Sequence, residues 1–491
     1  MSIGVKKIKI PIRADELTLD KVRPYLQYIL TEFEKNKSKI TKNYETYLGK
    51  HDVLSKVRPY DSDLINHRIV EPHLYAMVDF KCGYALGNPK EYAQREGFEG
   101  EDIIYLNKYW KDADGRTVDN EVAKWVYATG VGYYFIQPKR KIVDIDNKAP
   151  FELFCQPANT CAKIYSSYIG EEPLCDLICT TIKEINDGKV NEYTVMSLYL
   201  PNVYAEFKCS NLNSNRFERI KVESRPLYQM LPLVEKYSNS DRLGIVEVGK
   251  TLQDAIDNLA SSSLDNIDDV VNLLYIFVNV SLGGTPEEKA ENFRLLKQNG
   301  VVELLPSNPQ FPADLKTLAI NLNHADVNTV YKQLKEALYD CLGVPLQTAS
   351  VGSGNNAAAE AGAGWANAYT VMLKDINSLI KGDIDLLEHI LFICKESQGS
   401  RVKNISASDI DVKYNINRSE NLLIKAQAWD YFQDVPPVLR AKWVGITNEP
   451  DAAGKAIEEY KEKLLTDQVM SEITKQNAQT NTQPKPTNIQ E

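Results

Sequence analysis

The chain has 491 residues, 43% hydrophobic and 25% charged, with a formal net charge of −10. That is enough for several domains with large cores in a protein of ordinary globular composition. The acidic balance excludes a high-affinity nucleic-acid binder, because phosphate contacts need Lys and Arg, but it allows a surface to which DNA must not stick.

No apolar run is long enough to span a membrane; the richest, Val270 to Val280, is interrupted by Asn272 and Asn279. The N-terminal Met1-Ser-Ile-Gly-Val-Lys-Lys carries no apolar core behind its lysines and does not read as a signal peptide. The expectation is a cytoplasmic protein whose eight cysteines are thiols. Cys175 and Cys179 have a spacing open to zinc. Cys155 and Cys161 form no matching pair, however, and the region reads as strands, so buried thiols are expected.

Taken in order, the chain begins with a helix from Thr18 to about Lys50. Thr18 is its N-cap, and Val22, Leu26, Ile29, Leu30 and Phe33 share one face. Pro24 is tolerable there only because it lies near the start. Asn66 to Pro89 reads as a helix ending in a Gly-Asn-Pro turn. Asp102–Trp110 and Asn120–Ala128 read as two more. Between them, Asp112, Asp114, Gly115 and Glu121 imitate a calcium loop, but its first position falls on Trp110, which cannot ligate, so a polar turn is expected. Strands are expected from Gly130 to Ile136 and around Cys161–Tyr165, Leu177–Glu184, Tyr193–Leu200, Val203–Cys209 and Ile220–Glu223.

Gly244-Ile-Val-Glu-Val-Gly-Lys-Thr251 satisfies the phosphate-loop pattern letter for letter. Its context is wrong: the segment before it, from Tyr237 to Leu243, is polar, and its interior is bulky and β-branched. A helix start is the better reading, with an ATPase as the alternative. From Val246 to about Val271 runs a helix with Leu252, Ile256, Leu259, Ile267 and Val270 on a stripe. Asp254, Asp257, Asp265, Asp268 and Asp269 make the rest of it acidic.

A compact insertion from Leu274 to His324 follows: a strand, a helix and two strands, Gly300–Pro306 and Asp314–Leu322. Its helix is signalled by Thr285 as cap, Pro286 at the first position and Glu288 closing a capping box. The spacing then predicts a helix over Asp326–Leu342, capped by Gly343, and a long helix from roughly Ala357 to Cys394. Between them Gly343–Asn356 has few large side chains and no fixed backbone preference. Beyond Gln398 a strand within Asp409–Asn417 and helices around Asn421–Tyr431, Pro437–Val444 and Glu449–Leu465 are expected. The polar tail from Asp467 reads as disordered.

Four pieces in combination, Arg68-Ile-Val70, Val78-Asp79, Gly83-Tyr84 and Leu86-Gly-Asn-Pro89, resemble the signature of portal proteins of tailed bacteriophages, the type in long-tailed phages of Gram-positive hosts. The segment Pro232–Asn239 is similar to that family's exit from its wing. The resemblance implies an α+β portal fold with these parts: an N-terminal wing (1–245), a first stem helix (246–272), a clip (273–325), a second stem helix (326–342), a tunnel loop (343–356), a long wing helix (357–397), a helical crown (398–466) and a disordered tail (467–491). It implies a ring, usually of twelve subunits, at one vertex of the capsid of the virion, through which double-stranded DNA is packaged and ejected. It is assembled in the host cytoplasm.

The implied partners are loosely held DNA, the terminase large subunit, a head-tail adaptor, and the major capsid and scaffolding proteins, with no cofactor, metal, membrane or enzymatic activity. On that reading Gln347, Thr348, Ser350, Ser353, Asn355 and Asn356 form the loop that touches DNA. Asp254, Asp257, Asp265 and Asp268 line the channel on the first stem helix, where an acidic wall keeps DNA centred. The run Asn356–Trp365 departs from the family in lacking a basic residue and in its small side chains. A head-tail adaptor is the remaining alternative. The five scattered histidines offer no metalloprotease, Ser-elbow or dinucleotide pattern.

Overall fold

The computed structural model describes residues 4–57, 66–95, 101–139, 148–186, 189–209, 217–225, 229–271, 274–279, 284–299, 308, 310, 314–318, 324–346, 365–416, 429–432, 435–444, 456–463 and 466. They fall into two compact units. One comprises residues 1–348 and 363–414, the other residues 349–362 and 415–491.

The N-terminal helix is not continuous. Helix α1 (Leu19–Val22) gives way to a 3-10 turn at Arg23–Tyr25 before α2 (Leu26–Tyr47). Pro24 has no N–H to donate and its ring crowds the preceding turn, so the ladder tightens around it. Thr18 caps as expected, its hydroxyl accepting from the Lys21 N–H at 3.4 Å. Helix α2 lies on a six-stranded sheet of β1 (Ile8–Ile10), β5 (Cys161–Ser166), β6 (Pro173–Asn186), β7 (Lys189–Tyr199), β8 (Val203–Cys209) and β9 (Glu218–Ser224), in the order β1-β5-β6-β7-β8-β9. Strand β1 pairs with β5 in parallel, and the rest is antiparallel.

Alternation decides which face is buried. Cys175, Leu177 and Cys179 of β6 and Ala205, Phe207 and Cys209 of β8 pack with Leu26, Ile29, Leu30 and Phe33 of α2 in one core. Cys175 and Cys179 are therefore core thiols. Four residues apart on one strand, they are separated by about 13 Å, too far to share an ion, and burial pushes both well above the usual thiol range.

A three-stranded sheet, β10 (Leu233–Lys236), β3 (Gly132–Pro138) and β4 (Phe151–Gln156), forms the second layer. Helices α3 (His73–Leu86), α4 (Asp102–Asp112) and α5 (Gly115–Thr129) complete this body, with β2 (Glu91–Gln94) pairing against β13 (Ile410–Lys413). The expected helix from Asn66 is corrected: residues 66–72 are outside any helix and α3 begins at His73. Pro72 disfavours helical backbone at Glu71, so the helix starts after it. The calcium-like stretch is a tight turn, with Asp114 at φ 54° joining α4 to α5. Asp112 accepts the Ala149 N–H at 2.9 Å and pairs with Lys139 at 3.5 Å.

Helix α6 (Ile245–Val271) leads to β11 (Leu274–Val278), α7 (Pro286–Asn299) and β12 (Asp314–Leu318), with β11 antiparallel to β12. The capping box of α7 is present: the Glu288 N–H donates to Thr285 Oγ1 at 3.3 Å, and the Thr285 N–H donates to Glu288 Oε2 at 3.4 Å, an oxygen that also accepts the Gly284 N–H at 2.9 Å. The strand expected at Gly300–Pro306 lies outside the described residues. Helix α8 (His324–Leu342) ends as expected at Gly343, whose φ is +62°. The Gly343 N–H donates to Asp340 O at 3.1 Å and the Val344 N–H to Tyr339 O at 3.0 Å, which closes the last turn.

The long helix α9 (Trp365–Glu396) crosses the body on β10. Gly382 lets it approach: a Cβ there would stand 2.9 Å from Glu235 O. At the crossing, Asp383 is wholly buried and accepts from Lys90 at 2.6 Å, Lys236 at 2.7 Å and the Tyr414 hydroxyl at 2.5 Å. Burial works against its charge, and the two ammonium groups hold its carboxyl below the usual range. In the other unit, α10 (Pro437–Val444) coincides with the expected helix, and Arg440 lies 4.0 Å over the Trp429 ring. The expected Asn421–Tyr431 and Glu449–Leu465 helices and the tail from Asp467 lie largely outside the described residues, with residues 429–431 and 456–463 helical.

Candidate functional site

Helices α6 and α8 pack side by side, the start of α6 against the end of α8. A Cβ on Gly249 would come within 3.0 Å of Leu338 and 3.1 Å of Leu342, and within 2.8 Å of Leu74 on α3. Glycine at this position is what allows three helices to meet.

The other face of α6 carries a polar ladder. Gln253, Asp257, Ser261 and Asp265 recur every four residues and are all buried. The segment 66–71 runs along them in the opposite direction. The Glu71 N–H donates to Asp257 Oδ1 at 2.9 Å, the Ile69 N–H to Ser261 Oγ at 3.0 Å and the His67 N–H to Asp265 Oδ1 at 2.7 Å. Gln253 closes the end by donating to Glu71 O at 2.6 Å. The match is geometric. Four helical residues advance about 6 Å and two extended residues about 6.6 Å, so the two repeats stay in step over three rungs.

Each rung is secured from behind. The second oxygen of Asp257 lies 2.5 Å from His51 Nδ1 in a fully buried pair. Asp265 Oδ1 is also 3.1 Å from His67 Nδ1. Ser261 returns its proton to Asp257 O at 2.7 Å. From α8, the Tyr331 hydroxyl donates to Glu71 Oε2 at 2.5 Å, and burial with this carboxylate raises its pKa. His73 sits 3.0 Å from the same oxygen, yet burial keeps its pKa below the usual imidazole value.

Of the acids expected on the channel wall, Asp257 and Asp265 are 0% and 4% exposed, and their oxygens are engaged by backbone N–H groups and imidazole. Asp254 is half-buried and paired with Lys250 at 3.3 Å. Asp268 lies on α6, but its side chain falls outside the described residues. So do Gln347, Thr348, Ser350, Ser353, Asn355 and Asn356 of the expected loop, and Ala357–Gly364 of the expected long helix.

The sequence showed acids on α6 but did not show that Gln253, Ser261, His51 and His67 would join them. The available signal was the four-residue polar repeat opposite the apolar stripe, together with a segment that Pro72 keeps out of the helix.

The phosphate-loop match is helix. Gly244 precedes α6 and touches Ala128, where a Cβ would lie 2.4 Å from its carbonyl oxygen. Gly249, Lys250 and Thr251 are within α6. Lys250 donates to Asp52 at 2.8 Å, and that hydrogen bond holds the Asp52 carboxyl below its usual range. A loop whose N–H groups are committed to a helix cannot cradle a phosphate chain, which overturns the ATPase alternative.

The sheets and helices of the body carry the helix pair α6 and α8, with β11, α7 and β12 between them in the chain. The family model "Phage portal protein, SPP1 Gp6-like" matches residues 26–470. The chain belongs to this portal family, whose members are structural and not enzymatic. The portal protein of Bacillus phage SPP1 is 22% identical over 278 residues, 53% of this chain and 53% of that protein. The chain thus spans about half the length of this curated relative.

Two solved structures are similar at low identity. The neck of a native GTA particle computed with C12 symmetry is 10% identical, with a TM-score of 0.39, covering 76% of this chain and 89% of that one. The neck of an empty GTA particle computed with C6 symmetry is 11% identical, with a TM-score of 0.40 and the same coverage. Among the described residues no helix is long and apolar enough to cross a membrane.

Proposed function

We propose that this chain forms the ring at the unique vertex of a phage head through which double-stranded DNA enters during packaging and leaves during ejection. The observation that carries the reading is the family match from residue 26 to 470, which spans the whole helix–insertion–helix–long helix series. In this reading α6 and α8 are the stem, residues 273–325 the clip that meets the terminase large subunit and later a head-tail adaptor, and 398–466 the crown. Residues 343–356 are the loop presented to DNA. Major capsid and scaffolding proteins surround the ring, and the virion is its final location.

The mechanism follows from charge and anchoring. DNA must slide, so the wall offers few cations and the loop neutral polar tips: Gln347, Thr348, Ser350, Ser353, Asn355 and Asn356. Asp254 and Asp268 are the members of the acidic set that remain candidates for that wall. Asp257 and Asp265 instead stiffen the stem by tying it to the segment 66–71. Negative-stain imaging of the purified protein tests the reading: closed rings with an axial hole are expected, and monomers at every salt concentration would overturn it. Deleting 347–356 is expected to leave rings intact while reducing the DNA content of heads.

A further inference from the structure

Residues 237–244 join β10 to α6, and one of them breaks a backbone rule. Arg242 stands at φ 55°, left-handed backbone that glycine adopts freely and a residue with a Cβ adopts only at a cost. Such a residue persists where its surroundings hold it, and here its side chain does so. The Arg242 guanidinium is buried, pairs with Glu235 of β10 and donates to the Tyr165 hydroxyl of β5 at 3.4 Å. Glu235 in turn accepts from the Tyr165 hydroxyl at 2.6 Å and from the Tyr133 hydroxyl of β3 at 2.8 Å. Tyr165 belongs to the six-stranded sheet, Tyr133 and Glu235 to the three-stranded one. A single guanidinium thus gathers both sheets.

The backbone of the same residue is held as closely. The Val5 N–H, three residues before β1, donates to Arg242 O at 3.3 Å. A Cβ on Gly130, at the end of α5, would lie 2.1 Å from that oxygen, and one on Gly4 would lie 2.8 Å from it. Asn239 closes the turn: its side chain accepts the Leu243 N–H at 2.9 Å and donates to Leu243 O at 2.8 Å. Two residues after Leu243, α6 begins. A hinge has the opposite character, with few buried contacts and backbone bonds open to solvent.

We propose that Arg242 is a coupling residue, which fixes the root of α6 to both sheets so that helix and sheets move as one rigid body. In the ring proposed above, on which this consequence rests, a push on α6 from passing DNA is carried into the sheets instead of being absorbed by bending at the root of the helix.

Hydrogen exchange read at single residues of the purified protein is the test. In the parent, the Val5 and Leu243 N–H groups are expected to exchange as slowly as that of Met196, in the buried part of β7. Arg242→Gly relieves the left-handed backbone but removes the guanidinium. It is expected to quicken exchange at Val5, Leu243 and Val248 by about tenfold more than at Met196. Tyr165→Phe removes one hydroxyl from the cluster and gives the same pattern more weakly, which keeps the test open should Arg242→Gly fail to fold. Fast exchange at Val5 and Leu243 in the parent would mark a hinge and overturn the proposal. Equal quickening at all four positions would do so too, because Arg242 would then serve overall stability alone. The measurement needs no ring, so it fails or succeeds separately from the imaging that tests the portal reading.

Discussion

Asp257 on α6 accepts the backbone N–H of Glu71 at 2.9 Å while its other oxygen lies 2.5 Å from His51. One buried carboxylate thus joins the helix, the segment beside it and the chain that follows α2. Asp257→Ala strands the Glu71 N–H, Gln253 and His51 at once. A loss of about 3–5 kcal/mol is expected in urea unfolding, the scale for breaking a buried charged network.

Ser261→Ala removes a single rung, the bond to the Ile69 N–H. The expected loss is about 1–2 kcal/mol. Hydrogen exchange should quicken at Ile69 before it does at His67 or Glu71. Equal quickening along the whole segment would mean that the rungs are not independent.

His389 and Asp176 make opposite demands on pH. His389 is buried on α9, and burial, with Lys163 nearby, lowers its pKa from 6.5 to about 3. Its stabilising contribution is complete above pH 6.5 and is lost as pH falls toward 3, at up to about 1.4 kcal/mol per pH unit. Asp176 is buried, and its pKa rises from 3.8 to about 6. Its contribution is present below pH 3.8 and is lost as pH rises through 6. Urea titrations of the parent, His389→Leu and Asp176→Asn across pH 4–7 measure both: the first substitution flattens the acid limb and the second steepens it.

Gly343→Ala meets two obstacles, a φ of +62° and Val371, whose Cγ2 would lie 2.9 Å from the new Cβ. The expected cost is about 1–3 kcal/mol, read as a lower unfolding midpoint.

Lys250→Ala breaks surface-facing bonds to Asp52 and Asp254. The loss should stay within about 1 kcal/mol, the range for exposed pairs. Magnesium-ATP should shift the unfolding midpoint of neither the parent nor the variant. A Lys250-dependent shift would restore the nucleotide reading.

Local patterns carried much of this structure. Alternation placed strands β5 to β9, and Thr285–Glu288 and Gly343 marked helix ends, because each depends on neighbours a few residues apart. Pro24 was expected to be tolerated near a helix start, yet it splits the helix, and Pro72, on which the sequence reading placed no weight, delays another to His73. The acids of α6 were visible, but not which of them would be buried. That outcome belongs to residues 66–71, about two hundred positions earlier, and no local rule brings them there.

By itself the sequence determined the type of most elements, the family through its combined signature, and the failure of the phosphate-loop context. Only the tertiary structure decided that Asp257 and Asp265 hold backbone inside the subunit, that Lys250 serves an ion pair, and that Lys90 and Lys236 converge on Asp383. The physical reason is the same in each case. A charged side chain looks alike in sequence whether it meets water or a partner, and burial, set by contacts between distant segments, distinguishes the two.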